Sequence, residues 1–223
     1  MREIVLDTET TGLDPFQGHR VVEIGCVELL HRIPTGRSFH RYLNPERDMP
    51  AEAAEVHGLT AEFLKDKPVF AEIADEFLGF IGDAPLVAHN ASFDVAFLNA
   101  ELARLGRPGL AAEIEDTMAL ARKRFPGAPA SLDALCRRFG IDLSDRGKHS
   151  AKLDCELLAQ VYLELVGGRQ PGLDLAVVVL GGTTAAGGIA RPFRPPRPHL
   201  PEAAEIAAHE RLLDKLQDPL WRR

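Results

Sequence analysis

Apolar and polar positions run together or alternate in three stretches near the N-terminus, at residues 2–9, about 20–30 and about 36–43, and predict three strands. Val22, Ile24 and Cys26 mark the second, and Phe39, Tyr42 and Leu43 the third. Asp14-Pro15 with Gly18, and then Pro34-Thr35-Gly36, supply turn chemistry between them, and connections this short imply antiparallel neighbours. After residue 50 the spacing becomes helical. Short helices are expected at 51–56 and 60–65, followed by an amphipathic helix over 69–81 with Ile73, Phe77, Phe80 and Ile81 facing inward. Pro85-Leu86-Val87-Ala88 reads as a short apolar strand, with another near 112–115. Helices at about 91–105, 116–124, 131–139 and 150–166 complete the pattern. This is an α/β arrangement, a mixed sheet flanked by helices.

From Gly167 the pattern fails. Gly181-Gly182-Thr183-Thr184-Ala185-Ala186-Gly187-Gly188, followed by Pro192, Pro195, Pro196 and Pro198, cannot build a core and reads as a flexible linker over 181–200. A last amphipathic helix is expected from Pro201 to Leu216, with Ile206, Leu213 and Leu216 on one stripe and Trp221 just beyond. A single helix of that length does not hold itself together in water, so the stripe suggests a docking peptide for a partner's groove.

Composition narrows the class. With 223 residues and 45% hydrophobic content the chain can bury one sizeable core. Cys26, Cys136 and Cys155 are odd in number and widely spaced, which fits neither a disulfide framework nor a zinc site and points to thiols in a reducing cytoplasm. The first strand is expected to open within three residues, so no signal peptide is expected, and no apolar run reaches the ~20 residues of a membrane span. Net charge is −7, but residues 168–223 hold eight basic and six acidic residues, so the front of the chain is more acidic than the whole. A nucleic-acid substrate would therefore be held locally or delivered by a partner rather than drawn in by a long-range field. Residues 119–152 are an exception, with Arg122, Lys123, Arg124, Arg137, Arg138, Arg146, Lys148 and Lys152 against Asp133, Asp142 and Asp145. That stretch is expected to face a phosphate backbone.

The candidate chemistry begins where the first strand ends, at Leu6-Asp7-Thr8-Glu9-Thr10-Thr11-Gly12. Residues two apart on a strand share a face with Cα atoms roughly 6.7 Å apart, so Asp7 and Glu9 aim at one spot. Like charges that close need a cation to hold them ionised together, and hard carboxylate oxygens suit Mg²⁺ or Mn²⁺. Asp94 shares its helix face with Phe97 and Leu98, and Asp154 with Leu157, Leu158 and Val161. A carboxylate on a core face is costly without a partner. Two such acids, added to the pair on the strand, converge on one centre able to hold two divalent cations and cleave a phosphodiester. His149, five residues before Asp154 at the start of its helix, is placed to act as general base, since imidazole takes up a proton near neutrality.

Three blocks now resemble a known family. Leu6-Asp7-Thr8-Glu9-Thr10-Thr11-Gly12-Leu13, Ala88-His89-Asn90-Ala91-Ser92-Phe93-Asp94 and His149-Ser150-Ala151-Lys152-Leu153-Asp154 are similar to the three exonuclease motifs of the DEDD family, histidine subtype. Within it, the chain is closer still to the proofreading epsilon subunits of bacterial DNA polymerase III, a likeness that extends through Val56-His57-Gly58-Leu59 and returns at Glu205-Ile206-Ala207-Ala208-His209-Glu210. The resemblance implies a ribonuclease-H-like fold over 1–167 and 3′→5′ removal of deoxynucleoside monophosphates from a single-stranded or frayed DNA end. It implies Asp7, Glu9, Asp94 and Asp154 as metal ligands and His149 as general base. Thr10, Val56, His57 and Phe93 would line the terminal-nucleotide pocket, beside Asp7, Glu9 and Asp154. It further implies a sliding-clamp peptide within 168–180, carried by Gln170, Leu173 and Leu175, and a polymerase-docking helix over 201–223, carried by Ile206, Leu213, Leu216 and Trp221.

Two readings compete with this one. An RNA-trimming nuclease of the same family would have no use for the tail. A non-catalytic subunit that merely bridged polymerase and clamp would have no reason to place four acids and a histidine on core faces.

Overall fold

The computed structural model describes residues 1–144, 149–167, 201–216, 219 and 221. The chain divides into two units, Met1–Asp174 and Leu175–Arg223. The first is built on a five-stranded sheet in the order β3-β2-β1-β4-β5, with β1 Arg2–Thr10, β2 Val21–Leu30, β3 Ile33–Tyr42, β4 Leu86–Ala88 and β5 Ile114–Asp116. β1, β2 and β3 are antiparallel neighbours, as their short connections require, while β4 and β5 run parallel to β1.

Side-chain alternation along β1 divides the interior in two. Ile4 and Leu6 pack with Ile24 and Phe39 beneath α3 (Phe70–Ile81) and α4 (Ala91–Arg104), in a core that includes Phe70, Phe77 and Phe97. Val5 points the other way, into a core of α5 (Thr117–Arg124), α6 (Leu132–Phe139) and α7 (Ala151–Leu165). Burying each of these large side chains stabilises the fold by about 1.5–3 kcal/mol. Because Asp7 and Glu9 follow Val5 at intervals of two, they leave the sheet on the α7 side.

One turn differs from expectation. The β2–β3 hairpin closes at His31 and Arg32, both at positive φ (52° and 67°), and Leu30 pairs directly with Ile33. Pro34-Thr35-Gly36 lies inside β3, where the register shifts between Val27 and Leu29 and Gly36 takes φ 85°. The turn-forming residues thus serve a bulge, and Pro34 is tolerated because β3 is an edge strand.

α7 lies on β2 through a backbone contact. A Cβ at Gly25 would stand 2.3 Å from the Ala151 carbonyl oxygen, and the Cys155 thiol reaches the Gly25 carbonyl at 3.2 Å. Gly25→Ala is therefore expected to cost about 1–3 kcal/mol through overpacking, read as a lower urea midpoint at unchanged slope. A variant as stable as the parent would show that the helix can shift without cost.

The other end of α7 is held by part of the basic stretch. Arg124 donates to the carbonyls of Glu164 (2.7 Å) and Leu165 (2.5 Å), among the last of the helix, where a cation also opposes the helix dipole. That places it roughly 15 Å along the helix from Asp154. Arg138 stacks over Phe125, and Arg137 pairs with Asp133 at 3.5 Å. The basic stretch is thus partly occupied with holding helices together rather than with facing a ligand.

In the second unit, α8 spans Ala203–Leu213, with Ile206 and Leu216 about half exposed and Trp221 more so. The Trp221 ring meets His209 edge-on at 6.3 Å. Gln170, Leu173, Leu175 and the 181–200 linker lie outside the described residues. Among those described, no helix is long and apolar enough to cross a membrane.

Candidate active site

Three elements deliver the acids to the C-terminal ends of the parallel pair β1 and β4, the place where open α/β sheets bind ligands. β1 supplies Asp7 and Glu9, and a bulge after Glu9 ends its regular pairing. β4 turns into α4 through Asn90, whose φ of 65° is tolerated by asparagine, and whose amide donates to Asp116 at 3.1 Å. That turn brings Asp94, in the first turn of α4, against β1, where its Oδ1 accepts from the Thr8 hydroxyl at 2.7 Å. α7 supplies Asp154 from its first turn and His149 from just before it. The His149 Nδ1 stands 3.1 Å from Asp154 Oδ2.

Ligand atoms of Glu9, His149 and Asp154 lie within 4.8 Å of one another, a group able to hold a metal ion. Asp94 and Asp154 are each only 3% exposed. Burial, then repulsion from Asp94, Glu9 and Asp154, holds the Asp7 carboxyl well above its usual range. Burial pushes Glu9 from 4.5 to about 8, against a lowering by His149, and Asp94 from 3.8 to about 7, against the Thr8 hydrogen bond. Acids so crowded stay ionised only if positive charge joins them, and their hard oxygens suit a divalent cation.

The sign of the pH dependence follows. Glu9 and Asp94 hold protons more tightly folded than unfolded. Relative to alkaline solution, the metal-free fold therefore has their full stabilisation below about pH 4 and loses it as pH rises through about 7 and 8. Cation binding must displace these protons. Titrating Mg²⁺ into the metal-free protein at pH 7 should release protons, seen by calorimetry in buffers of different ionisation heat, and apparent affinity should rise toward pH 8. Binding without proton release would contradict this electrostatic account.

Two cavities flank the centre. One, of about 560 Å³, is lined by Glu9, Thr10, Val56, His57 and Phe93 together with the Gly12–Asp14 turn and His19. Its size suits a small organic ligand. His57 accepts from the Leu59 amide on Nδ1 at 3.0 Å, so in the neutral ring the proton sits on Nε2. Phe93 lines this cavity and also stacks on Phe97 at 4.9 Å, joining the ligand-facing and core-packing roles. The other cavity, of about 380 Å³, is lined by Asp7, Asp154, His149, His89 and Ser131. His89, Ser131 and Gly12–Asp14 were not singled out as site residues by sequence reasoning; Gly12, Leu13 and His89 lie within the motif blocks, which was a signal for them, whereas Ser131 reaches the site by tertiary placement.

An exonuclease family model, named for RNase T, matches residues 4–162. DNA polymerase III subunit epsilon of Escherichia coli (strain K12) is 44% identical over 239 residues, covering 99% of this chain and 97% of that one. The chain belongs to the DNA polymerase III epsilon subunit family. The epsilon subunit of Rickettsia conorii is 58% identical over 179 residues, covering 78% of each chain. Among solved structures, Exonuclease X in complex with 5′ overhanging duplex DNA aligns with a TM-score of 0.59 at 26% identity, over 74% of this chain and 90% of that one. The nuclease domain of 3′hExo, a DEDDh family member bound to rAMP, aligns at 0.64 with 18% identity over 74% and 91%, a likeness of fold. As a member of the epsilon family the chain is a proofreading 3′→5′ exonuclease on a ribonuclease-H-like α/β fold.

Proposed function

We propose that Asp7, Glu9, Asp94 and Asp154 hold two divalent cations, Mg²⁺ or Mn²⁺, at the last phosphodiester of a DNA 3′ end, and that His149 is the general base. The observation that carries this reading is the convergence of Glu9, His149 and Asp154 donor atoms within 4.8 Å, with Glu9 lining one flanking cavity and His149 and Asp154 the other. Bound cations would supply Lewis-acid stabilisation of the charge that builds on the phosphate oxygens. The protein's own groups do the rest. Thr10, Val56, His57 and Phe93 receive the terminal nucleoside, with the Phe93 ring giving the sequence-tolerant stacking an editing enzyme needs. An ionised Asp154 accepts the Nδ1 hydrogen of His149, which leaves the Nε2 lone pair to take a proton from the attacking water. The water oxygen bonds to phosphorus, the bond from phosphorus to the penultimate O3′ breaks, and a deoxynucleoside 5′-monophosphate leaves. The shortened strand keeps a 3′-hydroxyl, its proton coming from solvent.

The rest of the assembly is read the same way. Gln170, Leu173 and Leu175 would meet the sliding clamp. The helix carrying Ile206, Leu213 and Leu216, with Trp221, would dock on the polymerase subunit, and its exposed Ile206 and Trp221 support that. The E. coli epsilon match runs through the tail, which favours the replication role over an RNA-trimming one. The test is a labelled primer with a mismatched end, DNA or RNA, with Mg²⁺ or with chelator. Monophosphate release from DNA that chelator abolishes is expected, whereas release from RNA alone would overturn the reading. Deleting residues 201–223 should abolish co-purification with polymerase and leave hydrolysis of free single strands within about twofold. A truncated chain that still co-purifies would refute the docking assignment.

A further inference from the structure

A buried acid outside the proposed ligand set sits beside the active site. Glu23 is 1% exposed, lies on β2 directly opposite Glu9, and so points to the same face of the sheet. Like charges directly across an antiparallel pair are destabilising, so Glu23 needs compensating partners. Its Oε1 accepts from the Ser150 hydroxyl at 3.0 Å and stands 2.7 Å from His40 Nε2. Ser150 is the N-cap of α7, and its neighbour in sequence is His149.

The Ser150 contact is unusual for its position. An N-cap serine ordinarily accepts from a backbone amide in the first helical turn. Ser150 makes no such bond, and its hydroxyl is turned across to β2 instead. Two residues along the same strand face, Gly25 lies opposite Asp7 and lets the Ala151 backbone approach to where a Cβ could not fit. The pair Asp7 and Glu9 on β1 is thus matched, in register, by Gly25 and Glu23 on β2.

We infer that Glu23 is a positioning residue for the general base: its hydrogen bond to Ser150, with the close seat at Gly25, fixes the His149-Ser150-Ala151 junction so that the imidazole is held against Asp154. This rests on the reading of His149 as the base. His149 itself is restrained by the Nδ1 contact with Asp154 and by its amide donating to the Val56 carbonyl at 3.3 Å, and the Glu23 bond adds a restraint at the next residue.

The experiment uses the full chain, hydrolysis of a single-stranded DNA oligonucleotide in Mg²⁺, and three variants, Ser150→Ala, Glu23→Met and Glu23→Gln, made with His149 intact and in a His149→Ala background. Ser150→Ala removes no helix-capping bond, so it should fold as the parent does and serves if Glu23→Met folds poorly. With His149 intact, Ser150→Ala and Glu23→Met should lower kcat by about 10–100-fold, the usual range for outer partners of a metal site, with KM within about twofold. Glu23→Gln keeps an acceptor oxygen and should recover most of the rate lost in Glu23→Met. In the His149→Ala background, Ser150→Ala should change nothing further, because the group it positions is gone. An unchanged kcat in Ser150→Ala, or an equal loss in both backgrounds, overturns the tether while leaving the base reading intact. A wild-type rate in His149→Ala alone overturns the base reading and the tether with it.

Discussion

Asp7→Asn is expected to abolish exonuclease activity and at the same time to stabilise the metal-free protein. Activity falls because Asp7 lies among the clustered acids, where burial and then repulsion from Asp94, Glu9 and Asp154 hold its carboxyl well above the usual range. If Asp7 is a ligand as proposed, its loss loosens the cation that would offset charge on the phosphate, which removes several kcal/mol of transition-state stabilisation, or about 10³-fold or more in rate at 1.36 kcal/mol per decade. Stability moves the other way because, with no cation bound, a buried Asp7 must either hold a proton that the unfolded chain gives up or carry an uncompensated charge, and asparagine does neither. In chelator at pH 8 the melting temperature should rise, at about 2–4 °C per kcal/mol for a domain of this size. Adding Mg²⁺ should then raise the parent's melting temperature more than the variant's. Calorimetric scans with and without metal, beside a hydrolysis assay, measure both halves. A variant that is inactive but also less stable in chelator would show Asp7 to be a structural acid.

His149→Ala should separate the two effects. Losing a general base costs about 10²–10⁴-fold in kcat, while the four carboxylates remain to bind metal. The side chain is half exposed, so the fold should lose little and Mg²⁺ should still stabilise it. The residual rate should climb with pH as hydroxide takes over from the missing imidazole, where the parent's rate levels off. Were the variant to lose Mg²⁺-dependent stabilisation entirely, the imidazole would be a ligand instead, a role its place beside Glu9 and Asp154 also permits.

The acidic centre was legible because acids on core faces are anomalies that periodicity exposes. Asp94 has Phe97 and Leu98, and Asp154 Leu157 and Leu158, at helical spacing, and both acids proved buried. Glu23 carried the same signal, an acid between Val22 and Ile24 in an apolar strand, but a single strand does not reveal that its partner is a serine 127 residues away. Turn chemistry misled at Pro34-Thr35-Gly36 because a bulge and a turn both call for a residue at positive φ, whereas His31 and Arg32 close the hairpin with no glycine to announce them. In the basic run at 119–152 the structure adds what a count of charges does not carry. Charge counts do not distinguish a cation facing solvent from one satisfying the last carbonyls of a helix, as Arg124 does.

That arginine also determines how mechanical load would pass through the molecule. The segment beyond residue 167 leaves from the end of α7 that Arg124 grips, eleven residues downstream of Asp154. A pull on the chain beyond residue 167 would therefore be shared with α5 at that point before it reached the Asp154 end of the helix.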